Sequence, residues 1–232
     1  MERKIYAVIV AGGSGTRMGG PTPKQFLPLG GRPILQRTIE NFSLAFPDAE
    51  ILVVLPEEHF GTWMSLCEKY NFVCRQHLIK GGITRFHSVK NALEKVPDGA
   101  VVMVHDAVRP LAGPEFLTRL AEGMMTSRAL IPVVPVQDTL KRLSKAPDGS
   151  LSTAPGDAPD RSELFAAQTP QCFRSEDLKQ AYLSLGYRTE FTDDASVASE
   201  AGIPLSWAAG EKYNLKITTP EDLVVAEALI SF

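Results

Sequence analysis

Ile5-Tyr6-Ala7-Val8-Ile9-Val10-Ala11-Gly12-Gly13-Ser14-Gly15-Thr16-Arg17 decides the architecture of this chain. A short, largely β-branched apolar run bounded by turn residues reads as a strand buried on both faces. Similar runs recur at 51–55, 101–104 and 130–136. Amphipathic stretches lie between and after them. In 33–46, Ile34, Leu35, Ile39, Phe42 and Phe46 fall at helical spacing, and Pro33 suits a first helical turn. Helices are also predicted at 57–70, at 86–96 (Phe86, Val89 and Leu93 on one stripe), and at 113–125, 175–185 and 193–201. A last one starts with Thr219 as cap, Pro220 at its first position and Asp222 closing a capping box. Alternating strand and helix implies an α/β fold, a mostly parallel sheet with helices on both faces. Ligands in such sheets bind at the carboxyl ends of strands, which directs attention to the residues after Val10, Val104 and Val136.

The composition narrows the classes. With 232 residues, 44% apolar and 22% charged, the chain is an ordinary globular one, read here as a single domain spanning 1–232. Its 24 Lys and Arg against 27 Asp and Glu give a net charge of −3, so no bulk field favours nucleic acid. Any anionic ligand must meet cations concentrated locally. No apolar run approaches the roughly 18 residues of a membrane span, and no cleavage site follows the first apolar run. Cys67, Cys74 and Cys172, and His59, His77, His87 and His105, fit no metal-ligand spacing, and a reduced cytoplasmic setting is expected. Trp63 and Trp207 read as core or interface residues. Residues 137–162 break the rhythm: Pro147-Asp148-Gly149 is a turn signal between 139–143 and 151–153. A hairpin arm projecting from the sheet is expected there, with an unstructured surface loop as the competing reading.

The glycine loop after the first strand matches none of three familiar patterns. A dinucleotide fingerprint begun at Gly13 and Gly15 meets Met18 at its third position. Gly15 and Gly20 have P-loop spacing, but Pro21 stands where the lysine belongs. Ser14 follows Gly12 by two, yet Thr16 replaces the second glycine of a nucleophile elbow. The loop instead carries Arg17 and Lys24, seven residues apart. Backbone N–H groups unobstructed by side chains, joined by two cations, suit a triphosphate and the charge that develops as its phosphorus is transferred.

Ala11-Gly12-Gly13-Ser14-Gly15-Thr16-Arg17-Met18 with Lys24-Gln25 resembles the signature of nucleotidyltransferases of the nucleotide-diphospho-sugar transferase fold. Further blocks narrow the likeness: His105-Asp106-Ala107-Val108-Arg109-Pro110, Asp138-Thr139-Leu140-Lys141, Asp160-Arg161-Ser162 with Gln168-Thr169-Pro170-Gln171, Thr192-Asp193-Asp194-Ala195-Ser196 and Asn214-Leu215-Lys216-Ile217-Thr218. In this order and over nearly the whole chain, they resemble the 2-C-methyl-D-erythritol 4-phosphate cytidylyltransferase family. The resemblance implies coupling of CTP to methylerythritol phosphate with Mg²⁺, releasing pyrophosphate. It implies that Arg17, Lys24 and Lys216 face the phosphates, and that Asp106 holds metal and substrate hydroxyls. Ala11, Gly12, Gly13, Ser14, Gly15, Ala107, Gly82, Arg85 and Ser88 would bind the nucleotide. Arg109, Thr139, Arg161, Thr169 and Thr192 would bind the acceptor. It also implies that the 137–162 arm crosses to a partner in a homodimer, lending Thr139 and Arg161 to the neighbouring site. Two departures stand in the cytidine turn: Ile83 where the family often has an acid, and Phe86 where it has a small residue.

The chemistry agrees with the residue types. A phosphate monoester is already nucleophilic at neutral pH, so no general base is needed for in-line attack on the α-phosphorus; positioning and charge neutralisation suffice. A competing reading makes Asp106 a structural strand-end carboxylate, and another makes Asp160-Arg161 a solvated pair. Asp193 and Asp194 read as cap and first-turn acid. Two alternative functions remain open: a ribitol-5-phosphate cytidylyltransferase, and a catalytically silent nucleotide-binding module.

Overall fold

In the computed structural model of the chain, residues 3–13, 22–156 and 159–231 are described. The first strand, β1 (Ile5–Val10), lies between β4 (Glu50–Leu55) and β6 (Val101–Asp106), parallel to both. β5 (His77–Lys80) extends this parallel half beyond β4. On the other side of β6 the sheet turns antiparallel. β11 (Gln171–Arg174) sits between β6 and β7 (Ala129–Pro135), and β10 (Phe165–Ala167) also pairs antiparallel with β7. β12 (Leu205–Ala209) pairs parallel with β7. The order is β10-β7-β11-β6-β1-β4-β5. A short hairpin of β2 (Pro28–Leu29) and β3 (Arg32–Pro33) stands apart.

Alternation along β1 explains why it needs both faces covered. Val8 joins one apolar cluster, with Phe86, Val89 and Leu93 of α3 (Arg85–Leu93), Leu178 and Tyr182 of α5 (Ser175–Ser184) and Val197 of α6 (Asp194–Glu200). Ala7 and Ile9 join the other, with Leu35, Ile39 and Phe42 of α1 (Ile34–Ala45), Trp63 of α2 (Phe60–Lys69) and Phe116, Leu117 and Leu120 of α4 (Pro114–Gly123). Each fully buried branched side chain contributes about 1.5–3 kcal/mol. α7 (Pro220–Ile230) closes a third cluster over Ile34, Val108 and Ile217. Its predicted capping box is present: Thr219 accepts from the Asp222 N–H, and Asp222 accepts from the Thr219 N–H.

Several boundaries move. Pro33 caps α1 from outside rather than forming its first turn, with ψ at 139°. Residues 57–59 form a separate 3-10 turn ahead of α2. β6 runs two residues further than the apolar run, so Asp106 ends the strand itself. Trp63 is buried in the core, whereas Trp207 is exposed. In the arm, β8 (Leu143–Lys145) pairs with β9 (Leu151–Thr153) about the expected turn, where the Gly149 N–H donates to the Ala146 carbonyl. The first arm strand therefore lies at 143–145 and not 139–143. Every residue of β8 and β9 is exposed.

Candidate active site

Four loops meet beyond the carboxyl ends of β1, β4 and β6. The segment after β1 is fixed by Gln25, whose side-chain amide donates to the Ala11 carbonyl at 2.9 Å. Buried Lys24 runs beside Gly13, its Cε 3.7 Å from where a Cβ would stand, and its Nζ donates to the Ile217 carbonyl at 3.3 Å. Gly12 approaches Ser88, a Cβ there lying 3.8 Å from Ser88 Oγ. Ser88 is buried and its Oγ accepts from the Gly82 N–H at 3.0 Å, folding the 82–88 turn onto the start of α3. Gly82 tolerates no side chain: its Cβ would fall 2.3 Å from His87 Cβ and 2.8 Å from His87 carbonyl carbon. Thr84 caps α3 by accepting from the His87 N–H.

Asp106 is the focus. It is 8% exposed, and Lys216 Nζ stands 2.9 Å from Oδ2, Arg109 Nε 3.5 Å from Oδ2 and Arg85 Nε 3.9 Å from Oδ1. Burial alone would raise the Asp106 carboxyl; Arg85, then Lys216 and Arg109, outweigh it and hold the group far below the usual carboxylate range. Arg109 is placed by the Asn214 carbonyl, which accepts from Nη1 at 2.7 Å. The Ile217 N–H donates to the Val108 carbonyl, setting Lys216 beside the strand end.

Behind Asp106 lies a clamp that sequence reading did not supply. The Asp106 N–H donates to Thr169 Oγ1 at 3.1 Å; that hydroxyl lies 3.1 Å from His105 Nδ1, and His105 Nε2 lies 3.1 Å from the Arg109 carbonyl. A carbonyl can only accept, so Nε2 carries the proton and Nδ1 accepts from Thr169. Burial lowers the His105 pKa to about 4, in keeping with a neutral ring. The clamp ties together both ends of the segment carrying Asp106, Ala107 and Arg109. Thr169, expected at the acceptor, is buried with its hydroxyl engaged in this clamp.

Of the residues expected at the site, Gly12, Gly13, Lys24, Gly82, Arg85, Ser88, Asp106, Ala107, Arg109, Thr169 and Lys216 lie on these converging segments, with Ala11 buried at their base. Arg17, Ser14 and Gly15 lie outside the described residues. Thr139 and Arg161 line a different hollow of about 550 Å³ at the root of the arm, with Pro135, Val136, Lys141 and Pro159. There Arg161 Nη1 donates to the Gln137 carbonyl at 2.7 Å. Thr192 is exposed, two residues before Asp194. Phe86 is buried, stacked on Tyr182, and Ile83 is 96% exposed. No group of three or more potential acidic, His or Cys metal ligands occurs among the described residues. Asp106 thus offers one carboxylate, which suits a hard cation that takes its remaining oxygens from phosphates and water.

A parallel-rooted sheet with a glycine turn at one strand end, and an acid among cations at the next, defines a nucleotidyltransferase. The chain belongs to the 2-C-methyl-D-erythritol 4-phosphate cytidylyltransferase family, whose profile matches residues 5–231. It is 45% identical to the protein of that name from Phocaeicola vulgatus, over 97% of this chain and 99% of that one. It is 38% identical to a ribitol-5-phosphate cytidylyltransferase from Lactiplantibacillus plantarum, over 97% and 98%. The crystal structure of the Thermus thermophilus 2-C-methyl-D-erythritol 4-phosphate cytidylyltransferase superposes with a TM-score of 0.74 at 33% identity, covering all of both chains. A 4-diphosphocytidyl-2C-methyl-D-erythritol synthase from Anaerococcus prevotii gives 0.78 at 26% identity, again over both whole chains.

Proposed function

We propose that this enzyme transfers the cytidylyl group of CTP to 2-C-methyl-D-erythritol 4-phosphate, giving 4-diphosphocytidyl-2-C-methyl-D-erythritol and pyrophosphate for isoprenoid synthesis. The observation carrying this reading is Asp106, buried at a strand end within 4 Å of Lys216, Arg109 and Arg85. Lys24 and Lys216 face the triphosphate together with Arg17, and stabilise the charge that grows on the α-phosphorus and on departing pyrophosphate. The 82–88 turn takes the cytidine through its backbone, since Gly82 is packed against His87 without a side chain of its own and Ile83 extends to solvent. Arg109 receives the acceptor phosphate; its Nε has no hydrogen-bond partner among the described residues. Thr192 contributes to binding the acceptor. Asp106 would hold Mg²⁺, which supplies charge neutralisation to the phosphates. Neutral, doubly engaged His105 supplies no proton, consistent with an acceptor that needs no base.

The arm, exposed along both strands and with Leu143 and Leu151 bare to solvent, acts in a homodimer and carries Thr139 and Arg161 to the partner's site. No helix of the described residues is long and apolar enough to cross a membrane. Pyrophosphate release from CTP, UTP and GTP, each offered with methylerythritol phosphate or ribitol phosphate, tests the assignment. Turnover confined to CTP with methylerythritol phosphate is expected. Preference for ribitol phosphate would move the chain to the second activity found among its relatives, and failure to release pyrophosphate with either acceptor would leave only a nucleotide-binding module.

A further inference from the structure

Asp194 is fully buried, yet its place at the start of α6 explains neither of its side-chain contacts. Oδ2 accepts from Arg85 Nη2 at 2.6 Å, across 109 residues of sequence, and Oδ1 accepts from the Tyr182 hydroxyl at 2.7 Å. The same Arg85 turns its Nε toward Asp106 Oδ1 at 3.9 Å. One guanidinium therefore stands between two carboxylates, gripped by the rear one and merely facing the front one.

The grip is rigid. Tyr182 stacks on Phe86, the residue after Arg85, with ring centroids 4.5 Å apart. The backbone around Asp194 is bound to the sheet through Gln171, which donates to Asp193 Oδ2 at 2.7 Å and accepts from the Ala195 N–H at 2.8 Å. Burial alone would weaken the charge on Arg85; Asp194 foremost, then Asp106, reverses this and fixes the cation. A buried carboxylate leaves water only where its partner is held in good geometry. Released from Asp194, the guanidinium would be free to close onto Asp106, the carboxylate that the substrates need.

We propose that Asp194, supported by Tyr182, is a positioning residue for cytidylyl transfer: it acts through Arg85, anchoring the guanidinium behind the site so that Asp106 stays open on its substrate side. This rests on Asp106 being the reacting centre. Phe86 belongs to the same support, because it carries the Tyr182 ring.

A double-mutant cycle tests the proposal, with kcat/KM for CTP and CTP binding by calorimetry measured for the unmodified enzyme, Asp194→Asn, Arg85→Ala and the double variant. Asp194→Asn keeps the shape but loses the charge, and is expected to lower kcat/KM about 10-fold to 100-fold, the scale of a small misplacement of a reacting group. In the Arg85→Ala background the same change should cost less than about twofold, and should raise the melting temperature by removing a stranded buried charge. Tyr182→Phe, a milder change that leaves the ring stack, should give a loss under about tenfold that likewise vanishes with Arg85→Ala. Losses that multiply in the double variants, or an Asp194→Asn enzyme with unchanged kinetics and only a lower melting temperature, would overturn it. Because the ratios are also read from CTP binding, a wrong acceptor assignment is seen separately, as inactivity of the unmodified enzyme alone.

Discussion

The surroundings of Asp106 and the hollow at the root of the arm both gather cationic and polar side chains, but they are built in opposite ways. Around Asp106 the charges are paired and, the exposed Lys216 apart, largely withdrawn from water: Lys216, Arg109 and Arg85 lie within 4 Å, and Asp194 and Thr169 secure the parts behind them. At the arm, Arg161 and Thr139 are exposed, and Arg161 makes its hydrogen bond to a backbone carbonyl of its own loop. Low local dielectric makes geometry expensive to alter in the first region, while the second remains cheap to rearrange. On the proposed function, one half of the site is preformed by a single chain and the other would be completed by a second.

The sharpest way to break this contrast is to remove a cation from the preformed half. Lys24→Ala and Lys216→Ala should each lower turnover about 10²–10³-fold, the usual effect of losing one group that stabilises developing charge. Steady-state pyrophosphate release measures this, and near-normal turnover by Lys24→Ala would remove the preformed half from the chemistry. At the arm, Arg161→Ala should raise the acceptor KM by about tenfold, the scale of a lost charged contact. At low acceptor concentration, mixing Arg161→Ala and Lys24→Ala proteins should give more activity than the two measured apart if the arm serves the neighbour, since one intact site forms per mixed dimer. No gain on mixing would return the arm to its own chain.

Acid separates the regions by stability. His105 is buried and neutral with its pKa lowered to about 4, whereas in the unfolded chain it titrates near about 6.5. Between those values the unfolded state binds more protons, so stability falls as pH drops through this window, by about 3 kcal/mol in all. Denaturant titrations in metal-free buffer should show the loss, and His105→Gln should reduce its slope. The smallest expected effect is at Ile83, which is almost wholly exposed. Ile83→Asp should change stability by less than about 0.5 kcal/mol and the CTP KM by less than about threefold if the turn reads the base through its backbone. A larger gain in affinity would show that a side chain is missing there.

The two halves were not equally legible. Continuous apolar runs marked β1, β4, β6 and β7, because strands covered on both faces need apolar residues at every position. β5 and β10 were missed, being short and largely exposed, without periodicity to mark them. β11 was hidden by Gln171, a polar residue in the middle of the sheet, buried because its amide holds Asp193 and Ala195. Glycine and charge patterns located Lys24, Asp106 and Lys216. The partnership of Arg85 with Asp194 could not be read from spacing, since it joins the first turns of two helices 109 residues apart. Likewise, Thr169 and His105 show their joint purpose only once β11 is placed beside β6.

Asp106 gives the pocket its own counterion. An open cationic groove gathers small anions from the buffer, and a nucleotide must displace them, which makes its affinity fall steeply with added salt. Here a tethered carboxylate already occupies that position and cannot diffuse away. Arrival of a triphosphate draws lysine and arginine from a carboxylate that stays in the pocket, so few mobile anions are released as it binds. Such a pocket discriminates against chloride and inorganic phosphate without having to be empty of anions, and its nucleotide affinity should vary only gently with ionic strength.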